Sequence, residues 1–269
     1  MNNKNENNYN NETFLILIDM SYFIFYRYYA LINWWKIAKP DDELGNPIDN
    51  IEFVNKYRKT FINKLFEIPK KLKIKKYEFI CAKDCSRKNI WRNSLYSQYK
   101  ENRIHDDDFL GGPFFKLSYE LVSELNLKIL YHNNLEADDC IALFIKKFKN
   151  NYNKILVIAN DMDYLQLHSD NIKIMNLKYS YLNENKKWSG DSSKDLFIKV
   201  VMGDKSDNIN SIFKKCGLKT AIKCYNDYEF FKKKLEIENC NDKYQLNLNL
   251  IDFNYIPEKL INEFYINLN

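Results

Sequence analysis

FLILIDM, residues 14–20, is a short run of β-branched and other apolar residues that does not alternate with polar ones and closes on an aspartate, Asp19. A strand apolar on both faces suits the inside of a parallel sheet, where helices cover both sides. Four further runs repeat the pattern: YEFICA (77–82), followed by Asp84, then LKILYH (127–132), KILVIA (154–159) and IKIMNL (172–177). The intervening sequence predicts helices over about 21–37, 50–68 and 89–101, with others starting near Glu136 and Asp161. Strands alternating with helices imply an α/β fold built on a doubly wound, mostly parallel sheet. Beyond about residue 194 the pattern turns helical and holds no internal repeat. The expected organisation is a disordered tail at 1–13, a sheet domain at 14–193, and a helical subdomain at 194–269 packed on the sheet.

A chain of 269 residues with 45% hydrophobic content can bury a sizeable core. No run approaches the roughly 18 apolar residues of a membrane span, and the opening MNNKNENNYNNE lacks the apolar stretch of a signal peptide. Cys81, Cys85, Cys140, Cys216, Cys224 and Cys240 form no CxxC pair and no zinc spacing, as expected of reduced thiols inside a cell. A soluble, intracellular protein with no membrane partner is the expectation. The net charge is only +5, and the abundant Lys, Asn, Ile and Tyr are also what compositional drift produces. The 20 tyrosines are expected mostly to pack.

Acids fall where an open α/β sheet places its crevice, outside the carboxyl ends of the strands. Asp19, Asp84, Glu136 with Asp138 and Asp139, and Asp161 with Asp163 all stand at or just past such an end. Each motif alone is also explained by helix capping. Together, seven carboxylates in one crevice repel one another unless cations neutralise them, and oxygen-only ligands suit Mg²⁺ or Mn²⁺. VMGDKSDNIN (201–210) adds Asp204 and Asp207 directly after an apolar run. Nine acids exceed what one ion uses, which points to two ions of the kind that serve in-line phosphoryl displacement. Setting those nine aside leaves 27 acidic residues against 41 basic ones, a surface suited to a polyanion.

The basic counterpart is WRNSLYSQYKENR (91–103), where a helix would put Tyr96, Tyr99, Lys100 and Arg103 on one face. Such a face offers cations to a phosphate and an aromatic ring to a base, or is simply a solvated amphipathic surface.

LIDMSYFIFY, YKENR, LEADDCIA, ANDMDYLQL and VMGDKSDNI, in that order across about residues 14–225, resemble the 5′ nuclease family of flap endonucleases, phage 5′–3′ exonucleases and the 5′ nuclease domain of DNA polymerase I. The resemblance implies a PIN-like sheet domain, a helical arch at about 100–115 and a helix-three-turn-helix at about 203–225. It implies a first metal cluster of Asp19, Asp84, Glu136, Asp138 and Asp139 and a second of Asp161, Asp163, Asp204 and Asp207. Lys100 and Arg103 look like the catalytic basic pair, Tyr99 like the stacking aromatic beside it, and Arg92 like a further DNA contact. The acidic HDDD run at 105–108 reads as a solvated face of the arch.

The departure from the family pattern lies in NINSIFKKCGLKTA (208–221), where Asn210 and Ser211 replace the usual Pro and Gly and Lys215 replaces the first hairpin glycine. Gly217 survives. Lys214, Lys215, Lys219 and Thr220 are then the expected phosphate contacts, and the K⁺ ion often held by this motif becomes an open question. The implied function is a monomeric, metal-dependent 5′–3′ exonuclease and flap endonuclease acting on DNA with a 5′ flap, overhang or nick, in the cytoplasm or at the site of DNA replication. The alternatives are a noncatalytic DNA-binding factor of the same fold and a PIN-type ribonuclease. The stretch 226–269 carries no usable motif and reads as helices completing the subdomain.

Overall fold

The computed structural model describes residues 13–103 and 109–268. Strand β1 (Phe14–Asp19) leads into α1 (Met20–Ala38) and α2 (Ile51–Lys71), then β2 (Tyr77–Ala82). After an irregular stretch come α3 (Gly112–Glu124), β3 (Lys128–Leu130), α4 (Ala137–Phe148), β4 (Lys154–Ile158) and β5 (Ile172–Met175). The sheet is parallel throughout, in the order β3-β2-β1-β4-β5. The chain builds outward from β1 to one side, then restarts at β4 on the other. The crevice therefore opens between the carboxyl ends of β1 and β4, where a doubly wound sheet binds its ligands.

The apolar run of β1 is explained by what covers it. Leu15 and Leu17 face a layer with Ile80, Leu130, Ile141 and Val157. Ile16 and Ile18 face the opposite layer with Phe23, Phe61, Leu121 and Leu156. Alternate side chains of one strand thus enter two separate cores, so both faces must be apolar.

Helices α5 (Ser192–Met202), α6 (Leu218–Asn226), α7 (Tyr228–Glu238), α8 (Asn241–Ile251) and α9 (Glu258–Ile266) form the helical part. Val201, Phe213, Ala221, Cys224 and Phe231 make a small core there. A further cluster of Cys85, Ile90, Tyr99, Val200, Ile209, Leu250 and Ile251 joins α5 and α8 to the segment after β2. None of the helices among the described residues is long and apolar enough to cross a membrane. The six cysteines are free thiols.

Two helix predictions are corrected. The expected helix at 89–101 is instead a pair of short 3₁₀ turns, Arg87–Asn89 and Trp91–Ser94, followed by turns to residue 103. Lys100 has φ 56°, in the left-handed region, and its N–H donates to the Asp207 carbonyl at 2.9 Å. Tertiary bonding to the 204–209 loop wins over the amphipathic spacing, so Tyr96, Tyr99, Lys100 and Arg103 do not share a helical face. The helix expected from Asp161 is likewise only a 3₁₀ segment, Met162–Leu167. Of the arch expected at about 100–115, residues 100–103 are turns and α3 begins at Gly112, while residues 104–108, with the HDDD run, lie outside the described residues.

Gly203 fixes the acidic loop that follows α5. Its φ is 73°, and Asp204 and Ile209 exchange backbone hydrogen bonds of 2.8 and 2.7 Å across the loop. A Cβ at Gly203 would stand 2.3 Å from the Ile209 carbonyl oxygen. Gly203→Ala is accordingly expected to cost more than about 1 kcal/mol, since an unfavourable φ and a backbone clash add. Urea unfolding checks this; an unchanged midpoint would show that the loop does not need its glycine.

Candidate active site

The ends of β1, β2 and β4 and the start of α4 deliver the acids, and local hydrogen bonding aims them. Asp19 closes β1 and caps α1, accepting from Tyr22 N at 3.0 Å and from the Tyr164 hydroxyl at 3.0 Å. Asp84, two residues past β2, accepts from Ala137 N at 2.8 Å and from the Ser21 hydroxyl. Glu136 is the N-cap of α4, and Asp138 and Asp139 occupy its first turn, where the helix dipole favours negative charge. Asp161 follows β4 and accepts from Asp163 N at 2.9 Å. Asp19, Asp84, Glu136, Asp138 and Asp161 line one cleft of about 450 Å³ together with Lys100, Arg103 and Arg87.

Two groups of carboxylates are close enough to share an ion: Glu136, Asp138 and Asp139, and Asp163, Asp204 and Asp207, with ligand oxygens within 4.8 Å of one another in each. Crowding shows in their protonation. Burial, then the neighbouring Asp84 charge, pushes the Asp19 carboxyl up to about 7. Burial also raises Asp84, and burial with Asp139 and Glu136 raises Asp138 well above the usual range. Burial and Asp161 bring Asp163 up to about 6, although Lys199 opposes the shift. Groups raised this way are held in want of positive charge. An all-oxygen donor set in that condition fits a hard divalent cation such as Mg²⁺ or Mn²⁺.

The chain supplies part of that charge itself. Lys100 Nζ lies 2.5 Å from Glu136 Oε1 and 3.7 Å from Asp207 Oδ2, while Arg103 Nη2 lies 2.6 Å from Asp207 Oδ1. Burial pushes Glu136 upward, but Lys100 and Arg92 outweigh it and hold the carboxyl below its usual value. Arg87 donates to the carbonyls of Lys100 and Arg103, fixing the turns that carry both. Lys199 bridges Asp163 and Asp204, at 2.6 Å from Asp204 Oδ2. Burial would raise Asp204, yet Lys199 and the donors of Ser206 bring it down to about 2.

Two expected DNA contacts are corrected. Tyr99 is buried, its hydroxyl donating to Glu136 at 3.0 Å and reaching Asp207 at 3.3 Å, so its ring offers no face to a base. Arg92 is 2% exposed and closed on Glu136 and Asp139, out of reach of a phosphate. Asp139, expected in the first metal cluster, is fully buried and absent from the cleft lining, and its oxygens already accept from Arg92 and Trp91, which leaves it anchoring Arg92 rather than facing the cleft. The exposed ring on the cleft wall is instead that of Phe25, and the exposed Tyr29 stacks beside it, outside the lining, with planes within 11° at 6.5 Å. Their i, i+4 spacing after Asp19 is the sequence signal that could have found them. For Lys199 the signal is a single cation in the last turn of the otherwise apolar LFIKVVM.

The altered hairpin lies away from the cleft lining. Lys214, Lys215, Gly217 and Lys219 are exposed and Thr220 is half-buried. Lys215 takes φ 53°, the left-handed conformation for which glycine is the easier residue. Lys214 N donates to Glu238 Oε2 at 3.0 Å.

The raised carboxyls set a pH dependence. Folded Asp19 keeps its proton up to about pH 7, whereas an unfolded aspartate loses it near 3.8. The folded metal-free chain thus binds more protons across that window, and its stability falls as pH rises through it, with Asp163 acting in the same direction. Asp204 contributes the opposite way, but its contribution is complete once pH exceeds the unfolded value of 3.8. In chelator, Tm is expected to drop between about pH 5.5 and 7.5, and Mg²⁺ should recover it at the upper pH. A Tm that rises over this range and ignores Mg²⁺ would contradict the charge assignment.

Residues 14–194 match the profile of a family described as "5′-3′ exonuclease, N-terminal resolvase-like domain". Ribonuclease H of Enterobacteria phage T4 is 30% identical over 258 residues, covering 86% of this chain and 79% of its own. The 5′-3′ exonuclease of Buchnera aphidicola subsp. Acyrthosiphon pisum is 30% identical over 218 residues, 80% of this chain and 70% of its own. Among solved structures, the bacteriophage T5 flap endonuclease in complex with DNA and metal ions superposes with TM-score 0.66 at 16% identity, covering 95% of this chain and 97% of that one. That likeness bears on the fold; the family rests on the sequence matches. By both the profile and the relatives, the chain belongs to the 5′–3′ exonuclease family.

Proposed function

We propose that this 5′ nuclease is a structure-selective exonuclease and flap endonuclease that hydrolyses DNA phosphodiesters near 5′ ends, flaps and nicks with two divalent ions, Mg²⁺ or Mn²⁺. The observation that carries the reading is the gathering of Asp19, Asp84, Glu136, Asp138 and Asp161 around one cleft with Lys100 at its edge. Asp19, Asp84, Glu136 and Asp138 would hold one ion, and Asp161, Asp163, Asp204 and Asp207 the other. Divalent ions bound there supply Lewis acidity toward the phosphate and lower the pKa of water at neutral pH. The side chains do the rest. Lys100 and Arg103 stand where charge develops on the phosphoryl oxygens, and that interaction strengthens toward the transition state. Lys199 occupies the second acidic group and compensates its charge. Phe25 on the cleft wall, with Tyr29 stacked beside it, would offer aromatic surface to unpaired bases. The exposed Lys214, Lys215 and Lys219 contact the duplex backbone, which positions DNA without reading its sequence.

The test uses a 5′-labelled flap, a nicked duplex, a single strand and a 5′ RNA strand paired to DNA, each with Mg²⁺. The RNA arm is included because the phage T4 relative carries the name ribonuclease H. Flap cleavage is expected, and Asp163→Asn or Asp204→Asn should reduce it below about a tenth of wild type while DNA binding persists. Lys100→Ala should slow single-turnover cleavage far more than it weakens binding. Tight binding with no cleavage of any substrate would make the chain a DNA-binding factor, and cleavage of free RNA alone a ribonuclease.

The hairpin gives a separate prediction. With Lys215 in place of the glycine that lets backbone approach an ion, flap affinity is expected to fall equally steeply with KCl and NaCl through counterion release. Clearly tighter binding in KCl, undiminished in Lys214→Ala with Lys215→Ala, would show that a K⁺ bridge survives.

A further inference from the structure

We propose that Arg92 is a positioning residue that couples the docking of helix α8 to the orientation of Glu136, so that the C-terminal helical layer helps to set the first metal centre. The inference rests on the metal reading above but concerns a part of the chain that touches neither ion nor DNA. Arg92 Nη1 donates to Glu136 Oε2 at 3.0 Å and to Asp139 Oδ2 at 2.8 Å, and Nη2 donates to Asp139 Oδ1 at 2.7 Å. Its Nε donates to the Leu250 carbonyl at 2.8 Å, 158 residues away in sequence. Leu250 lies in the last turn of α8, whose carbonyls have no partner within the helix and mark the negative end of its dipole. A buried guanidinium is costly unless all sides of its fork are met, and here the fourth bond comes from α8.

The consequence falls on Glu136. Its Oε2 accepts from both Arg92 and the Tyr99 hydroxyl, while Oε1 is the oxygen turned to Lys100. Arg92 thus fixes which oxygen Glu136 can offer to the cleft. Asp139, with Arg92 across both oxygens and Trp91 Nε1 at 3.0 Å, anchors the guanidinium from below. Helix α8 is held in turn by Asn247, whose amide donates to the carbonyls of Val200 and Asn210 at 2.9 Å each, and by Gln166 bonding the Ile251 carbonyl at 3.0 Å. Leu250 and Ile251 pack with Ile90, Tyr99, Val200 and Ile209. A shift of α8 therefore moves the acceptor that steadies Arg92, and through it the carboxylate.

Coupling of this kind is reciprocal: an ion that selects the ordered Glu136 must also stabilise docked α8. The experiment combines Mg²⁺ titration calorimetry with amide hydrogen exchange of the full chain, without DNA. In the wild type, Mg²⁺ is expected to slow exchange in the last turn of α8. Arg92→Lys, which keeps the charge and loses the fork, should weaken Mg²⁺ affinity about tenfold or more and abolish that protection. Asn247→Ala leaves Arg92 in place but loosens α8, and should weaken Mg²⁺ affinity in the same direction, which keeps the test open if Arg92→Lys does not fold. Wild-type Mg²⁺ affinity in folded Arg92→Lys would overturn the proposal, as would Mg²⁺ that binds with no change in α8 exchange. Absence of any Mg²⁺ binding by the wild type would instead strike the metal reading itself, and this inference with it.

Discussion

Negative charge crowded against the carboxyl ends of β1, β2 and β4 is the constraint around which the rest of the molecule is arranged. Burial, then neighbouring carboxylates, raise the pKa of Asp19 and Asp138, so the bare chain leaves their negative charge poorly compensated. Three buried or half-buried cations answer it: Lys100 at Glu136, Arg92 across Glu136 and Asp139, and Lys199 between Asp163 and Asp204. Lys100 and Arg92 lie 36 to 47 residues from these carboxylates, and Lys199, though near Asp204 in sequence, reaches Asp163 across 36 residues, so charge compensation also ties the segment after β2 to α4 and helix α5 to the segment after β4. A site of this kind trades stability for chemistry, because the same carboxylates that destabilise the metal-free chain are the ones that favour a divalent ion.

Much of the fold was legible because the physics is local. Five short apolar runs, each doubly covered, predict a parallel sheet, and acids at the ends of three of them locate the crevice without any knowledge of tertiary contacts. Asp204 and Asp207 were legible as a pair of acids straight after an apolar run, whereas the close backbone approach that demands Gly203 shows only in the structure. What escaped were the features that tertiary partners decide. The spacing of Tyr96, Tyr99, Lys100 and Arg103 is that of a helix, but bonds from this segment to Asp207 and Glu136 hold it in turns. The same bonds bury Tyr99. Arg92 looked like a surface cation because its two carboxylate partners lie 44 and 47 residues away. Lys199 was hidden because an apolar helix surrounds it in sequence and one of its two partners, Asp163, lies 36 residues away.

The hairpin shows the opposite balance, where a local change is visible in sequence and is accommodated in structure. Lys215 adopts a left-handed conformation that glycine takes more easily, and it places an exposed, charged side chain at that turn. Glu238 accepts from the Lys214 N–H and ties this turn to α7. The catalytic edge and the hairpin therefore obey different rules: the first is set by buried ion pairs, the second by backbone conformation and exposed lysines.

The central claim is that the acidic edge exists to hold divalent ions. A crystal of the chain grown with Mn²⁺ and measured for anomalous scattering tests it directly. The expected result is anomalous density against Asp19, Asp84, Glu136 and Asp138 and against Asp161, Asp163, Asp204 and Asp207, with the Lys199 ammonium drawn away from Asp163. Density found only elsewhere on the molecule, with Lys199 still closed on Asp163 and Asp204, would contradict the account.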